Sequence, residues 1–302
     1  MTPPLPGPLP RGERGNSHTR FERVRLALES FEPRSGWRSH AYEFLLFGFK
    51  QGWACLFGAL MLALLVVTHL VYPRGAWLPR YDFLTLAALV IQILMLRFRL
   101  ETWDEAKVIL AFHVAGTLME LFKTSAGSWL YPEPSVLRIA GVPLFSGFMY
   151  ASVGSYIARI WRIFDIRFTH YPPLWTTWAL AAAIYVNFFA HHWLPDARVP
   201  LLIATALIFG RAVFWFRPFR RYRPMPVLLG FLLVALFIWI AENLGTLSQA
   251  WTYPSQRHGW TMVPFAKLVS WYLLMIISVV LVSLVQKPQP LASETRAQRQ
   301  DG

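Results

Sequence analysis

Long apolar runs restrict the folds that are open to this chain. Of its 302 residues, 55% are hydrophobic and 15% are charged, against about a quarter charged in soluble domains. Runs of about 17–25 apolar residues cross a bilayer as helices, because backbone groups in lipid must bond within their own segment. The chain therefore predicts an all-α polytopic membrane helix bundle with about eight transmembrane helices. The predicted spans are 52–72, 81–96, 106–123, 139–160, 174–194, 199–215, 225–245 and 263–285.

One motif occurs twice, at a constant offset of 122 residues. The first copy consists of Glu120, Thr124, Trp129, Tyr131 and Pro132, and the second of Glu242, Thr246, Trp251, Tyr253 and Pro254. Four spans separate the copies, so both run in the same direction, which predicts two parallel four-helix repeats related by an axis along the membrane normal. The predicted units are a partly disordered cytoplasmic segment at 1–40, repeats at 41–165 and 166–286, and a cytoplasmic tail at 287–302.

The positive charge is distributed unevenly between the two sides of the predicted bundle. The net charge is +13, and 22 of the 29 lysines and arginines fall in the terminal segments and in alternate connections. Such an excess marks the cytoplasmic side, so both termini are predicted to be cytoplasmic. Membrane lipid is therefore the expected partner, and nucleic acid is not implied. The oligomeric state stays open.

Several polar side chains lie within the predicted spans, where each is costly and needs a reason. In the third span, His113, Glu120 and Thr124 share one helical face. Glu242 with Thr246, and Asn187 with His191, follow the same spacing rule. The candidate catalytic residues are Glu120, Glu242, His113 and His191. The candidate supporting residues are Thr124, Thr246, Asn187, Lys123, Lys267 and His69.

Three other interpretations of these residues stay open. Trp129, Tyr131 and Tyr253 suit a membrane interface, where aromatic side chains with one polar atom are enriched. The glutamates are also explained as structural locks, with Lys123 and Lys267 compensating their charge. Imidazole and carboxylate ligands suit zinc, but no tight ligand spacing such as HExxH occurs, so neither a metal nor a cofactor is predicted.

Much of the chain resembles a known bacterial family. Its motifs run from His113 through Glu120-Leu-Phe-Lys-Thr, Gly127-Ser-Trp-Leu-Tyr-Pro-Glu133, Pro143-Leu-Phe-Ser-Gly-Phe-Met-Tyr150, Asn187-Phe-Phe-Ala-His191 and Trp251-x-Tyr-Pro254 to Lys267. This pattern resembles the YoaT-like membrane family (domain of unknown function 817) over about residues 43–285. The resemblance implies a multi-pass protein of the bacterial inner membrane and supplies no activity.

A fainter similarity suggests a reaction class. The order of an acidic residue, a Trp-x-Tyr motif and a helix that begins with Pro is similar to the pattern in membrane carotenoid cyclases and hydratases. Those families are thought to act on polyene double bonds through carboxyl groups. Pro143-Leu-Phe-Ser and Pro264-Phe-Ala-Lys stand where the cyclases have Pro-x-Glu-Glu. The acting carboxyls would then be Glu120 and Glu242. The leading hypothesis is a membrane enzyme that acts on an isoprenoid or another lipid. The alternatives are a small-solute or proton-coupled transporter and a non-catalytic scaffold.

Overall fold

The computed structural model describes residues 24, 27–28, 36–73, 75–191 and 193–291. Most of the predicted N-terminal segment 1–40, with its expected disorder, lies outside the described residues, and so do residues 292–302 of the predicted tail 287–302. The described residues form mainly helices: α1 Trp37–Ala54, α2 Leu56–Val71, α3 Arg80–Arg97, α4 Trp103–Ser125, α5 Phe145–Ile163, α6 Leu174–Ala190, α7 Arg198–Phe209, α8 Val227–Leu247 and α9 Ala266–Val285. Each of the eight predicted spans overlaps one helix from α2 to α9.

Local sequence signals set where several helices begin. Thr102 accepts the N–H of Glu105, and the Glu105 carboxylate accepts the N–H of Thr102, which forms a capping box at the start of α4. Pro79, Pro173 and Pro226 stand at the N-caps of α3, α6 and α8. Proline costs little there, because its missing N–H has no helical acceptor at that position.

Length and composition single out fewer membrane-spanning helices than the eight predicted. Three helices, α4, α8 and α9, are long and apolar enough to cross a membrane, and α1 with α2 makes a fourth candidate that is bent by 65°. Helices α6 and α7 are apolar but shorter. Helix α3 contains Arg80, Asp82 and Arg97, and α5 contains Arg159 and Arg162, so charged side chains lower the hydropathy of both helices.

Two small antiparallel sheets correct the expectation of a purely helical chain. One is a hairpin of β1 Arg138–Ile139 and β2 Val142–Pro143. The other contains β3 Arg167–Thr169, β4 Val213–Phe216 and β5 Arg223–Pro226, in that order. The sixth predicted span therefore ran too far, because the apolar β4 continued the hydropathy of α7, which ends at Phe209. The fourth span likewise began inside the hairpin, and α5 begins at Phe145.

Helix α5 lies at the centre of the bundle and contacts α1, α2, α3, α4 and α9. Its packing against α4 is close because glycines face large side chains. A Cβ at Gly116 would lie 2.6 Å from the Tyr150 ring, and one at Gly154 would lie 2.5 Å from Phe112. Real Cβ atoms do not approach so closely, so both sites require glycine. This contact places Tyr150 of α5 beside the last turns of α4.

Candidate functional site

Glu120 lies near the end of α4 and accepts hydrogen bonds from three aromatic side chains. Trp129 Nε1 and Tyr131 Oη donate to Oε2 at 2.7 and 2.6 Å, and Tyr150 Oη donates to Oε1 at 2.8 Å. Trp129 and Tyr131 belong to the segment after α4, whereas Tyr150 belongs to α5. Glu120 is 4% exposed. One carboxylate thus joins two helices and the connection between them.

Glu242 on α8 has the same kind of surroundings. Tyr253 Oη donates to Oε1, and Trp271 Nε1 of α9 donates to Oε2 at 2.8 Å. Tyr131 and Tyr253 each follow their glutamate by 11 residues. Tyr150 and Trp271 follow by 30 and 29. The repeated motif therefore has a physical meaning: each copy surrounds one carboxylate with aromatic donors.

The donors of both carboxylates are neutral, and neither Glu120 nor Glu242 takes part in an ion pair within the described residues. Lys267 Nζ instead lies over the rings of Trp129 and Tyr253, 5.4 and 4.6 Å from their centroids. Burial raises the pKa of Tyr131, and the adjacent carboxylate raises it further, so its hydroxyl stays a donor. The expected lysine locks are replaced by phenol and indole hydrogen bonds.

Both glutamates line one cavity of about 610 Å³, which we call groove A. Its walls come from α2, α5, α8 and α9. The polar end contains Glu120, Glu242 and Lys267. Along α2 the lining runs from Val67 to Cys55, which is about 18 Å at the helical rise of 1.5 Å per residue. The remaining lining is mostly Val, Leu, Ile, Met, Phe, Ala and Gly, so groove A is a long apolar slot with a polar end.

Groove A opens sideways between α2 and α8. Ala59, Ala63 and Val67 on α2 and Phe237 on α8 line it and are exposed. An opening on the flank of apolar helices faces acyl chains if these helices lie in a bilayer. Small side chains on α2 keep that opening wide.

A second cavity of about 710 Å³, groove B, lies on the opposite side of α5 and α9, against α4 and α6. Tyr150 and Trp271, whose ring centroids are 6.3 Å apart, line both grooves and separate them. Neither glutamate lines groove B, whose charged lining residue Lys107 pairs with Asp104 at 2.9 Å. The two grooves are therefore similar in volume and different in chemistry.

The predicted histidines lie away from groove A. His113 packs on Gly147 and lies 4.5 Å from the Phe148 ring, and its buried Nδ1 has no hydrogen-bond partner. It shares a face with Glu120 but lies about 10 Å further along α4, because seven residues each rise 1.5 Å. His191 caps α6, where its Nε2 lies 3.4 Å from Lys123 Nζ. His69 is exposed at the end of α2.

Apart from Lys267, the predicted supporting residues do not line groove A. Thr246 accepts a hydrogen bond from Trp260 Nε1 at 3.1 Å, and Thr124 Oγ1 is buried without a hydrogen-bond partner. Asn187 Oδ1 accepts the N–H of Ala197 at 2.9 Å and so fixes the turn after α6. Lys123 Nζ lies 4.2 Å from the centroid of the Phe188 ring. No cluster of three or more His, Cys, Asp or Glu side chains with metal-binding geometry occurs in the described part of the chain.

Sequence reasoning missed three residues that hold this region together. Tyr150 and Trp271 donate to the two carboxylates, but they differ in type and so gave no repeat signal. Arg80, 7% exposed, donates to the Ser248 carbonyl at 2.9 Å and to Glu133 at 2.5 Å, which ties α3 to the segment after α8. Trp129 and Tyr253, expected as interface anchors, are 8% and 7% exposed and line the cavity instead.

The comparisons with known proteins agree on one family. A family model described as "Protein of unknown function (DUF817)" matches residues 43–279. The chain belongs to this family. It is also 43% identical over 242 residues to "Uncharacterized protein YoaT" of Bacillus subtilis (strain 168), covering 80% of this chain and 90% of that protein. No solved structure matches the chain. The expected family is thus confirmed, and the family description names no reaction.

Proposed function

We propose that this DUF817 protein is a multi-pass membrane enzyme that takes one apolar lipid or isoprenoid chain into groove A and acts on it by carboxyl acid/base chemistry. The observation that carries the proposal is groove A itself. It is a long apolar slot that opens sideways and has two buried carboxylates without ion pairs at one end.

The proposed architecture is two four-helix repeats, α2–α5 and α6–α9, in the bacterial inner membrane with both termini cytoplasmic. Three helix contacts of the first repeat have equivalents in the second repeat. The α2–α5 contact corresponds to α6–α9, the α4–α5 contact to α8–α9, and the α2–α3 contact to α6–α7. Grooves A and B exchange under the same equivalence. The arginine-rich connections on one side support the orientation.

The proposed chemistry is proton transfer to a carbon–carbon double bond of the bound chain. Hydrogen bonds donated to a carboxylate favour its ionised form. Glu120 accepts three, which suits a fixed anion that stabilises positive charge developing on the chain. Glu242 accepts two and is the proposed proton donor. The rings of Trp129, Tyr150 and Trp271 add π faces, which attract cations. The cation is discharged by loss of another proton or by addition of water, so no redox cofactor is required.

A proton-coupled transporter is the second candidate, since buried carboxylates also form relays. Such a relay needs titratable groups that continue from Glu120 and Glu242 towards the arginine-rich side. The described lining of groove A continues instead with Met149, Ser152 and Val153 before it reaches Tyr156 and Cys55. This mostly apolar stretch favours a lipid substrate over proton transport.

The test is an untargeted lipid profile of a strain from which this gene is deleted. The strain is complemented with the wild type, Glu120→Gln, Glu242→Gln or Asp104→Asn. Gln retains the shape of the side chain and removes the acid. Asp104 lies on the same helix as Glu120 but is 62% exposed and outside groove A, so its variant is the matched control. We expect one lipid species to be lost in the deletion and in both Gln variants, and restored by Asp104→Asn. Lipid profiles that are identical in all strains would contradict an enzymatic role.

A further inference from the structure

Lys267 is a lysine at the polar end of groove A that the proposed acid/base chemistry does not use. It lies in the first turn of α9 and lines the cavity. Within the described residues its Nζ has no hydrogen-bond or ion-pair partner. Its neighbours are the π faces of Trp129 and Tyr253. A lysine amine at the wall of an apolar cavity is a potential nucleophile towards a carbonyl carbon.

The two rings under Lys267 are also the rings that bind the carboxylates. Trp129 donates to Glu120 and Tyr253 donates to Glu242. One positive charge at Nζ thus has two π faces beside it, and each of these rings is hydrogen-bonded to one of the two carboxylates. This arrangement stabilises a singly charged nitrogen, whether that nitrogen is an ammonium or an iminium.

We propose that Lys267 forms an imine with a long-chain aldehyde or ketone bound in groove A. The ammonium gives up one proton, and the neutral amine forms a C–N bond with the carbonyl carbon. A second proton then leaves the nitrogen, the C–O bond breaks, and the oxygen departs as water with these two protons. In total, an ammonium and a carbonyl compound give an iminium and water, so the charge at the site is conserved and no oxidant or reductant takes part. The proposal rests on the proposed function only in assigning groove A to an apolar chain.

The other lysines of the described helices lack this combination. Lys50 on α1 lies over the Phe164 ring, donates to the Arg217 carbonyl at 3.2 Å and lines neither groove. Lys107 lines groove B and pairs with Asp104. Lys123 lies in contact with His191 and the Phe188 ring and lines neither groove. In the first repeat the position equivalent to Lys267 is Ser146, because the nearby Val142-Pro143 match Val263-Pro264 at an offset of 121 residues. Ser146 donates to the Pro143 carbonyl. Lys267 therefore marks a difference between the halves, and Lys123 provides a matched control.

The test uses the full-length protein purified in detergent. It is incubated with hexadecanal, with the isoprenoid aldehyde farnesal, or with propanal as a short control, and is reduced with sodium cyanoborohydride. Intact mass and peptide mapping then locate the adducts. We expect a single adduct at Lys267, formed at least about tenfold faster with the long aldehydes than with propanal. The adduct should be lost in Lys267→Arg and retained in Lys123→Arg.

Adducts spread over exposed lysines, or an equal rate with propanal, would overturn the proposal. The peptide map of the wild type locates the adduct directly, so the test does not depend on the folding of Lys267→Arg. Lipid profiles that respond to Glu242→Gln, with no adduct at Lys267, would leave the carboxyl chemistry standing without the imine. An adduct at Lys267 with unchanged lipid profiles would retain the carbonyl site and remove the proposed lipid reaction.

Discussion

The two ends of the bundle treat buried carboxylates differently. On the arginine-rich side, Glu101 pairs with Arg159 at 2.8 Å with both side chains 0% exposed, and Glu105 pairs with Arg162 at 2.9 Å. At the other end, Glu120 and Glu242 are almost as buried but accept only neutral phenol and indole donors. Glu101 and Glu105 are each matched by an arginine, whereas Glu120 and Glu242 have no ion-pair partner within the described residues.

This difference is the basis for proposing a structural role for Glu101 and a chemical role for Glu120 and Glu242. Glu101 also accepts from Ser155 and Gln92, so its interactions are saturated between α3, α4 and α5, and no cavity residue is involved. Glu120 and Glu242 line groove A and have no ion-pair partner within the described residues, since Lys267 Nζ lies over the rings of Trp129 and Tyr253. The degree of burial alone does not distinguish these two cases. They differ in whether the partner of the carboxylate carries a positive charge and in whether the carboxylate lines a cavity.

The largest expected effect is on the matched pair. Arg159→Met leaves Glu101 buried without its cation and should lower the free energy of unfolding by about 3–5 kcal/mol. Denaturant titration in detergent measures it. The double variant Arg159→Met with Glu101→Leu removes both charges and should recover most of that loss. Equal instability of the single and double variants would contradict the ion-pair account.

The second effect compares Glu120 with Glu242. Glu120→Ala leaves three buried donors without an acceptor and Glu242→Ala leaves two, and an unsatisfied buried donor costs about 1–3 kcal/mol. We expect Glu120→Ala to be the more destabilising, by about 1 kcal/mol or more, in the same titration. Glu120→Gln retains an acceptor oxygen and should cost less than Glu120→Ala. A larger loss in Glu242→Ala would mean that the hydrogen bonds do not set the stability.

A third change fills groove A and leaves both carboxylates in place. Ala63→Phe projects a ring into the slot and should reproduce the lipid profile of the deletion strain, with stability within about 0.5 kcal/mol of the wild type. Leu60 lies on the same helix outside the groove, so Leu60→Phe is the control and should behave as the wild type. A wild-type lipid profile with Ala63→Phe would remove groove A from the reaction.

The smallest effect concerns a partly buried carboxylate on the arginine-rich side. Burial raises the pKa of Asp165, but the Tyr222 hydroxyl, Arg167 and Arg217 outweigh it, so this pKa lies below its ordinary value. Because the folded pKa is depressed, the stabilisation is present above the unfolded pKa of about 3.9 and is lost as the pH falls through the folded value. The stability difference between the wild type and Asp165→Asn should therefore shrink from pH 6 to pH 3. A difference that is independent of pH would contradict this.

Much of the helical arrangement was predictable, because apolar runs in this chain coincide with α2 to α9. The errors occurred where an apolar segment is not helical. Strand β4, Val213–Phe216, is apolar but extended, and the hairpin before α5 was included in a predicted span. Residues 138–139 and 142–143 pair across a tight turn, whose Ala140 and Gly141 have positive φ. Long-range pairing of β3 with β4 has no signal in a local pattern.

The candidate site was predictable in part. The repeat identified Glu120, Glu242 and the tyrosines 11 residues later, but it did not reveal that those tyrosines donate to the glutamates. Tyr150 and Trp271 also donate to the glutamates, but they are different residue types. A search for identical residues in the two repeats therefore could not find them. Helical periodicity placed His113 on the face of Glu120, yet periodicity does not state depth along the helix, and His113 lies two turns away.

Transfer of a solvent proton to a lipid tests the central claim most directly. Purified protein is incubated in D2O with lipids extracted from the deletion strain, and the lipids are analysed by mass spectrometry. The wild type should introduce a carbon-bound deuterium into at least one lipid species, as should the Asp104→Asn control, whereas Glu242→Gln and Glu120→Gln should introduce none above the protein-free background. Deuterium incorporation that is equal in the wild type and in both Gln variants would contradict a role for Glu120 and Glu242 in lipid chemistry.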